Sequence, residues 1–454
     1  MNKNDIILLE ITDLTGGGDG VGHAKDGRVV FVPNTAVGDL VETLIIKVKS
    51  KYALGKIKSI KRGAKCRIES DCGISNKCGG CVFRHINYDS ECEIKYNQVK
   101  NSINRIGGID LLPQKIIGGE SINHYRNKAQ YPIGVNRLGE IVCGFYAKSS
   151  HRIIEGDSCK LQPETFDSIV EQFCYWANYN KLSCYDEKKH KGLLRHLYIR
   201  YGEVTNQIMV VIVINGKELP FADSLIERLK SVCGESLESV QININTDNTN
   251  VVLGDKCKVL YGSECIYDVL CGVKVRLSPL SFYQVNRTMA EKLYEKAVEF
   301  AEPQDKFVLD LYCGAGTIGL SMANKAKKIL GVEIVPEAIK DAKFNAENNN
   351  IKNAEFICAD ASIAAERLKK ENINPDVVIL DPPRKGCSEE VLNIVAKDFS
   401  PEKIVYVSCN DATLARDCKI LKELDYSLKT IVPVDLFPRT GHVETVCLLS
   451  RKDK

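Results

Sequence analysis

A chain of 454 residues has a length prior of about three domains and ample sequence to bury a core. Its 62 basic and 59 acidic residues leave a net charge of only +3, which neither requires nor excludes nucleic acid. The segment Met1-Asn-Lys-Asn-Asp-Ile-Ile-Leu-Leu-Glu has too short an apolar run for a signal peptide, and no stretch approaches the roughly 18 apolar residues of a membrane span. The cytoplasm is therefore the expected compartment, where 19 cysteines suggest metal or catalysis rather than disulfides.

Residues 6 to about 62 alternate short apolar runs with turns, including Gly16-Gly17-Gly18-Asp-Gly20 and Arg28-Val-Val-Phe-Val-Pro33. This is a small β-barrel pattern of the oligonucleotide-binding sort. Between Thr43 and Ile68 the chain carries nine basic residues and no acid. A strand through Lys47, Lys49 and Lys51 would place all three ammonium groups on one face, as a phosphate-facing stripe or as an ordinary solvated face. Next comes Cys72-x5-Cys78-Gly-Gly-Cys81, three thiols within ten residues. The glycines let backbone amides approach sulfur, as iron–sulfur clusters require, and Cys159 is the chosen fourth ligand. Structural zinc is the rival and free buried cysteines the bland reading; Cys66 and Cys92 are possible substitutes. Tyr88 to about Ile106 has helical spacing. From about 115 to 275 strand-like segments recur, such as Ile208-Met-Val-Val-Ile-Val-Ile214, and a helix is expected around Met289–Phe300.

From Phe307 onward strands and helices alternate regularly, which implies a parallel sheet. Phe307-Val-Leu-Asp310 runs into Gly314-x-Gly316-x-x-Gly319, a nucleotide-type fingerprint that fits NAD, FAD or S-adenosylmethionine. Glu333 ends the next strand, where a carboxylate can accept ribose hydroxyls. Two details favour S-adenosylmethionine. Asp310, inside the strand end, can take the positive methionine part, and Asp360 closes the third strand within reach of an adenine amine. Helix N-capping is the structural alternative for Asp360 and Asp381. Asp376-Val-Val-Ile-Leu-Asp381-Pro-Pro-Arg384 and Lys403-Ile-Val-Tyr-Val-Ser-Cys409-Asn410 are further strands, ending in a carboxylate and a thiol. In open α/β sheets such ends share one crevice.

A thiol beside a methyl donor suits one chemistry in particular. Carbon 5 of a pyrimidine is a poor nucleophile until a thiolate adds at carbon 6. A base must afterwards remove the carbon-5 proton so that the thiol can leave. Cys409 fits the nucleophile. Glu444 fits the base if the last strand, His442 to Leu449, runs antiparallel to the others; a simple charge at a strand start is its alternative.

Leu277-Ser-Pro-Leu-Ser-Phe282-Tyr-Gln284-Val-Asn286, Asp310-Leu-Tyr-Cys-Gly-Ala-Gly316, Asp381-Pro-Pro-Arg384, Val407-Ser-Cys409-Asn410 and Asp435-Leu-Phe-Pro-Arg-Thr-Gly-His442-Val-Glu444 resemble the RNA uracil-5-methyltransferase family. The first segment resembles its TRAM domain, and Cys72, Cys78, Cys81 and Cys159 match the ligands of its [4Fe-4S] cluster. The resemblance covers nearly the whole chain. It implies a Rossmann-like catalytic domain over 276–454, a TRAM or OB-like barrel over 1–65, and a central α+β domain with the cluster over 66–275. Within the last, the helix near 88–108 is expected to pack on the catalytic domain. The resemblance also implies donor contacts at Gln284, Tyr312, Glu333, Asp360 and Asp381, with Cys409 as nucleophile and Glu444 as base. Thr317 stands where relatives often carry Asn. Having both barrel and cluster resembles the 23S ribosomal RNA enzymes, although some transfer-RNA enzymes share the long form. Arg126 matches a stretch expected near RNA, and Phe282 could stack on a flipped base or simply pack in the core. A monomer without obligate protein partner is expected. The rivals are an NAD-type oxidoreductase, licensed by the glycine fingerprint alone, and a non-catalytic RNA-binding protein.

Overall fold

Six strands use the alternating apolar residues of the first 62 positions: Ile6–Glu10, Asp13–Leu14, Gly20–His23, Val29–Val32, Leu40–Val48 and Tyr52–Arg62. They form one sheet in the order first, fifth, sixth, fourth, third, second. Leu9, Val30, Val32, Val41, Ile45 and Ala53 fill its interior. This computed structural model describes residues 1–148, 150–156 and 158–452. The lysine stripe needs correction. The strand carrying Lys47 ends at Val48 and the next begins at Tyr52, so Lys49 and Lys51 lie in the hairpin between them. A register shift between Ile45 and Lys47 further breaks the alternation. The three lysines are exposed at a hairpin tip rather than aligned on a strand face.

The helix Tyr88–Arg105 begins at Asn87, whose side chain accepts the Ser90 N–H. It lies against the helix Asp411–Glu423 and contributes Val99 and Ile103 to the same core as Leu309, Leu311 and Tyr406. The central region is a six-stranded sheet built from Lys128–Val135, Ile141–Cys143, Leu194–Gly202, Gln207–Ile214, Leu237–Ile244 and Lys256–Gly262. Two helices that the strand-like sequence did not reveal, Glu164–Tyr179 and Ala222–Cys233, cover it with Phe166, Phe173, Trp176 and Leu225. The hairpin Ile266–Leu270 and Val273–Leu277 shares a core with Tyr198 and Met209 on one side and Met289 and Leu293 on the other. A boundary at 275/276 therefore falls inside a strand and a continuous core.

The last sheet has the order Ala354–Cys358, Lys328–Glu333, Phe307–Leu311, Val377–Leu380, Lys403–Ser408, Glu444–Arg451, Tyr426–Val434. The first five strands are parallel, and Glu444–Arg451 is antiparallel to both its neighbours. It starts at Glu444 rather than His442, because Thr440 closes a turn onto the Phe437 carbonyl. This is a doubly wound α/β sheet, with its strand ends opening on one edge.

Candidate active site

The candidate donor crevice is built from short local segments. Gly314 and Gly316 have φ of +55° and +78°, and a Cβ at Gly316 would meet the Phe356 ring at 2.9 Å. Only glycine lets the chain turn there and keep that approach. Asp310, 1 % exposed, accepts the Gly319 N–H at 3.1 Å through one oxygen and has no partner for the other. Burial, with Asp381 nearby, pushes its carboxyl up to about 8. A cationic ligand would supply the missing partner. Glu333 accepts the Gly314 and Val335 N–H groups at 3.2 and 2.9 Å, which aims it along the glycine turn. Asp360 caps the helix Ala361–Lys370, using one oxygen on the Ser362 N–H at 2.9 Å. The capping role is thus present and leaves the second oxygen for a ligand. Burial raises Asp381 to about 7. Tyr312, at φ +68°, places its hydroxyl beside the Cys387 thiol. The Gln284 backbone is held by Asn127, whose amide donates to its carbonyl at 2.9 Å, and its side chain lies beside the Tyr294 hydroxyl. Thr317 also meets that hydroxyl, at 3.1 Å.

The thiol and the last-strand carboxylate are brought together by register. Ser408 pairs with Thr445 across antiparallel strands, so Cys409 and Glu444 are the next positions outward on each side. Cys409 is half-buried, and its thiol is raised by burial and then by Glu444 and Asp381, with Arg384 opposing. Glu444 is 5 % exposed; burial first, then Asp381, pushes it up to about 8 despite Arg384. Arg384 is therefore the cation that faces both groups. Its guanidinium stands 3.4 Å from the His442 Nε2, and its carbonyl accepts from the Asn410 amide at 3.2 Å. The sequence reading quoted Arg384 without giving it a task; its position after Asp381-Pro-Pro at a strand end was the available signal. His442, lowered by burial and by that cation, was likewise overlooked. A thiol that can add to a ring, with a carboxyl close enough to take a proton back from it, is what this end of the sheet offers.

Cys72, Cys78, Cys81 and Cys159 all line one cavity of about 170 Å³. Among the described residues no three cysteine, histidine or carboxylate side chains are gathered tightly enough to hold a metal ion. The cavity is nevertheless bordered by sulfur and by cations. Four thiols surround it, and the Arg84 Nη2 and Arg126 Nε atoms at its wall are buried without partners. Arg126 is half-buried and forms part of this cavity's wall, and its neighbour Tyr125 packs into the fold. Phe282 is 64 % exposed, so core packing does not explain it.

Comparison with known proteins accords with this geometry. The family described as tRNA (Uracil-5-)-methyltransferase matches residues 272–452, and the TRAM domain matches residues 2–58. An uncharacterized RNA methyltransferase of Bacillus cereus is 43 % identical, covering 100 % of this chain and 98 % of its own. Another, of Clostridium tetani, is 44 % identical over 99 % and 97 %. The structure of Pyrococcus abyssi tRNA (uracil-54, C5)-methyltransferase in complex with S-adenosyl-L-homocysteine aligns with a TM-score of 0.79 and 28 % identity, over 97 % of this chain and 99 % of that one. No helix among the described residues is long and apolar enough to cross a membrane. With the glycine turn, its ring of carboxylates and full-length relatives in agreement, the chain belongs to the RNA uracil-5-methyltransferase family and draws its methyl group from S-adenosylmethionine.

Proposed function

We propose that this protein methylates carbon 5 of a uridine in 23S ribosomal RNA through a covalent Cys409 adduct. The observation that carries the mechanism is the placement of Cys409 and Glu444 at adjoining, antiparallel strand ends beside the donor crevice. The Cys409 thiolate adds to carbon 6, and the resulting enolate takes the methyl group at carbon 5 from the sulfonium, releasing S-adenosylhomocysteine. Glu444, as the carboxylate, then takes the carbon-5 proton, the carbon–sulfur bond breaks and Cys409 leaves as the thiolate. Gln284, Tyr312, Glu333, Asp360 and Asp381 hold the donor. Phe282, solvent-facing in the segment that precedes Gln284, stacks on a base of the flipped substrate.

Cys72, Cys78, Cys81 and Cys159 hold a [4Fe-4S] cluster whose part is structural, since the reaction contains no redox step. Exposed Lys47, Lys49 and Lys51 contact phosphates. The protein acts as a cytoplasmic monomer. The long architecture with barrel and cysteine cavity supports ribosomal RNA. Transfer RNA is the second reading, favoured by the full-length structural likeness to an enzyme named for tRNA uracil-54. Mapping 5-methyluridine in both RNAs from a deletion strain separates them: loss from 23S RNA supports the first, and loss from transfer RNA alone replaces it. For the mechanism, Glu444→Gln is expected to accumulate a denaturation-resistant protein–RNA adduct on ordinary uridine substrate. Ready turnover by that variant would reject Glu444 as the base.

A further inference from the structure

The segment just before Glu444 touches more of the molecule than catalysis alone requires. The carbonyl of Arg439 accepts N–H groups of Val82 and Phe83, immediately after Cys81, at 2.8 and 3.2 Å. Its own N–H donates to Glu91 of the Tyr88–Arg105 helix at 2.6 Å, and its guanidinium donates to the Ile86 carbonyl at 3.0 Å. Lys95, on the same helix, bonds Glu91 and Asp435 at 2.7 Å each and the Phe437 carbonyl at 3.2 Å. Tyr125 donates to the Pro438 carbonyl at 2.8 Å. From the barrel side the approach is steric: a Cβ at Gly441 would meet the carbonyl oxygen of Gly16. Gly18 of the same loop sits against Val82 and Phe83, where a Cβ would stand 2.8 Å from the Val82 side chain. The glycine run 16–18 is thus wedged between the cysteine-bearing segment and the turn before Glu444.

Arg439 is 5 % exposed and holds φ +70°, a left-handed conformation that strains a side-chain-bearing residue. Such strain persists only where the surroundings over-determine it. Here the surroundings come from three regions more than 300 residues away in sequence.

We propose that the 437–442 turn is a latch through which the barrel's glycine loop, the cysteine-bearing segment and the 88–105 helix jointly fix the Glu444 carboxyl, with Arg439 as its positioning residue. The barrel thereby completes the catalytic centre in addition to meeting RNA. The idea rests on Glu444 being the base.

Gly441→Ala is the sharpest test, because Gly441 does not need a left-handed backbone and the nearest atom a methyl group would meet is the Gly16 carbonyl oxygen. Full-length Gly441→Ala, Arg439→Gln, Arg439→Lys and Glu444→Gln proteins are compared with the parent on uridine-containing RNA. Gly441→Ala and Arg439→Gln are expected to lower turnover about 10- to 100-fold, the scale of an ångström-sized misplacement. They should accumulate the same covalent adduct as Glu444→Gln while binding S-adenosylmethionine as the parent does, and Arg439→Lys should recover part of the turnover. A general structural defect would instead remove adduct, donor binding and turnover together, and that result overturns the latch. If Gly441→Ala does not fold, the Arg439 pair decides alone: equal turnover and no adduct in both also overturns it. Absence of adduct in Glu444→Gln itself rejects the base assignment, which is a different failure.

Discussion

The proposed donor crevice and the proposed catalytic pair, Cys409 and Glu444, share one sheet edge but are assembled from different distances. Asp310, Tyr312, Gly314 and Gly316 come from one strand and its turn, and Glu333 and Asp360 from the next two strand ends. The three carboxylates are each held by an amide of their own or the adjoining loop. Cys409 and Glu444 meet only because the final strand is inserted antiparallel between its neighbours. The glycine turn and its carboxylates are thus a local device, whereas Gln284 is anchored by the distant Asn127. The catalytic pair is a product of topology, and the turn before Glu444 further depends on the first hundred residues.

That contrast can be broken from either side. The largest effect is expected for Cys409→Ser: turnover should fall by at least about 10⁴-fold, with S-adenosylmethionine affinity unchanged by titration calorimetry. Parallel loss of donor binding would show that the two halves are not separable. Glu333→Ala acts in the opposite sense. Losing a carboxylate hydrogen bond to the ribose is expected to weaken donor binding roughly 10- to 100-fold, and adduct formation on 5-fluorouridine RNA should return at saturating donor. Failure of saturating donor to restore it would place Glu333 outside the ribose contact.

The buried base gives a subtler distinction. Glu444 ordinarily titrates near 4.5 and is pushed up to about 8 in the folded chain. Between those values the unfolded chain releases a proton that the folded chain keeps, so this group's contribution to stability declines as pH rises across that window. Glu444→Gln removes the decline. The variant should be more stable than the parent at pH 8, on the order of 4 kcal/mol, and nearly equal at pH 4, as read from denaturant melts. A pH-independent difference would refute the burial argument. The smallest effect concerns neither half: Lys49→Ala with Lys51→Ala should weaken RNA binding a few-fold and lower the slope of log affinity against log salt by about 2. An unchanged slope would remove the hairpin tip from the RNA contact.

Legibility in the sequence follows the same division. The strand–glycine–acid pattern from Phe307 to Asp360 is contiguous, so periodicity and spacing exposed it. The antiparallel last strand was an assumption that the structure meets, but its first residue was misplaced by two because a turn formed by Thr440 is invisible to alternation. Lys47, Lys49 and Lys51 misled for a similar reason: alternation in sequence persisted through a hairpin that begins at Lys49. The helix Glu164–Tyr179 escaped notice amid strand-like neighbours although Phe166, Phe173 and Trp176 bury one of its faces. Arg439, Lys95 and Glu91 were unreadable as a group, since nothing local relates residues separated by more than 300 positions.

The Lys95–Asp435 bond spans 340 residues and is fully enclosed. During synthesis the ammonium must therefore wait, hydrated or paired only with Glu91, until nearly the entire polypeptide has left the ribosome. Helix 88–105 cannot make this bond before then, which makes its docking a late event and long-range closure a slow one. Carboxy-terminal truncation should accordingly strand a charged helix without its berth and yield an aggregation-prone product, even though only the last strands are missing.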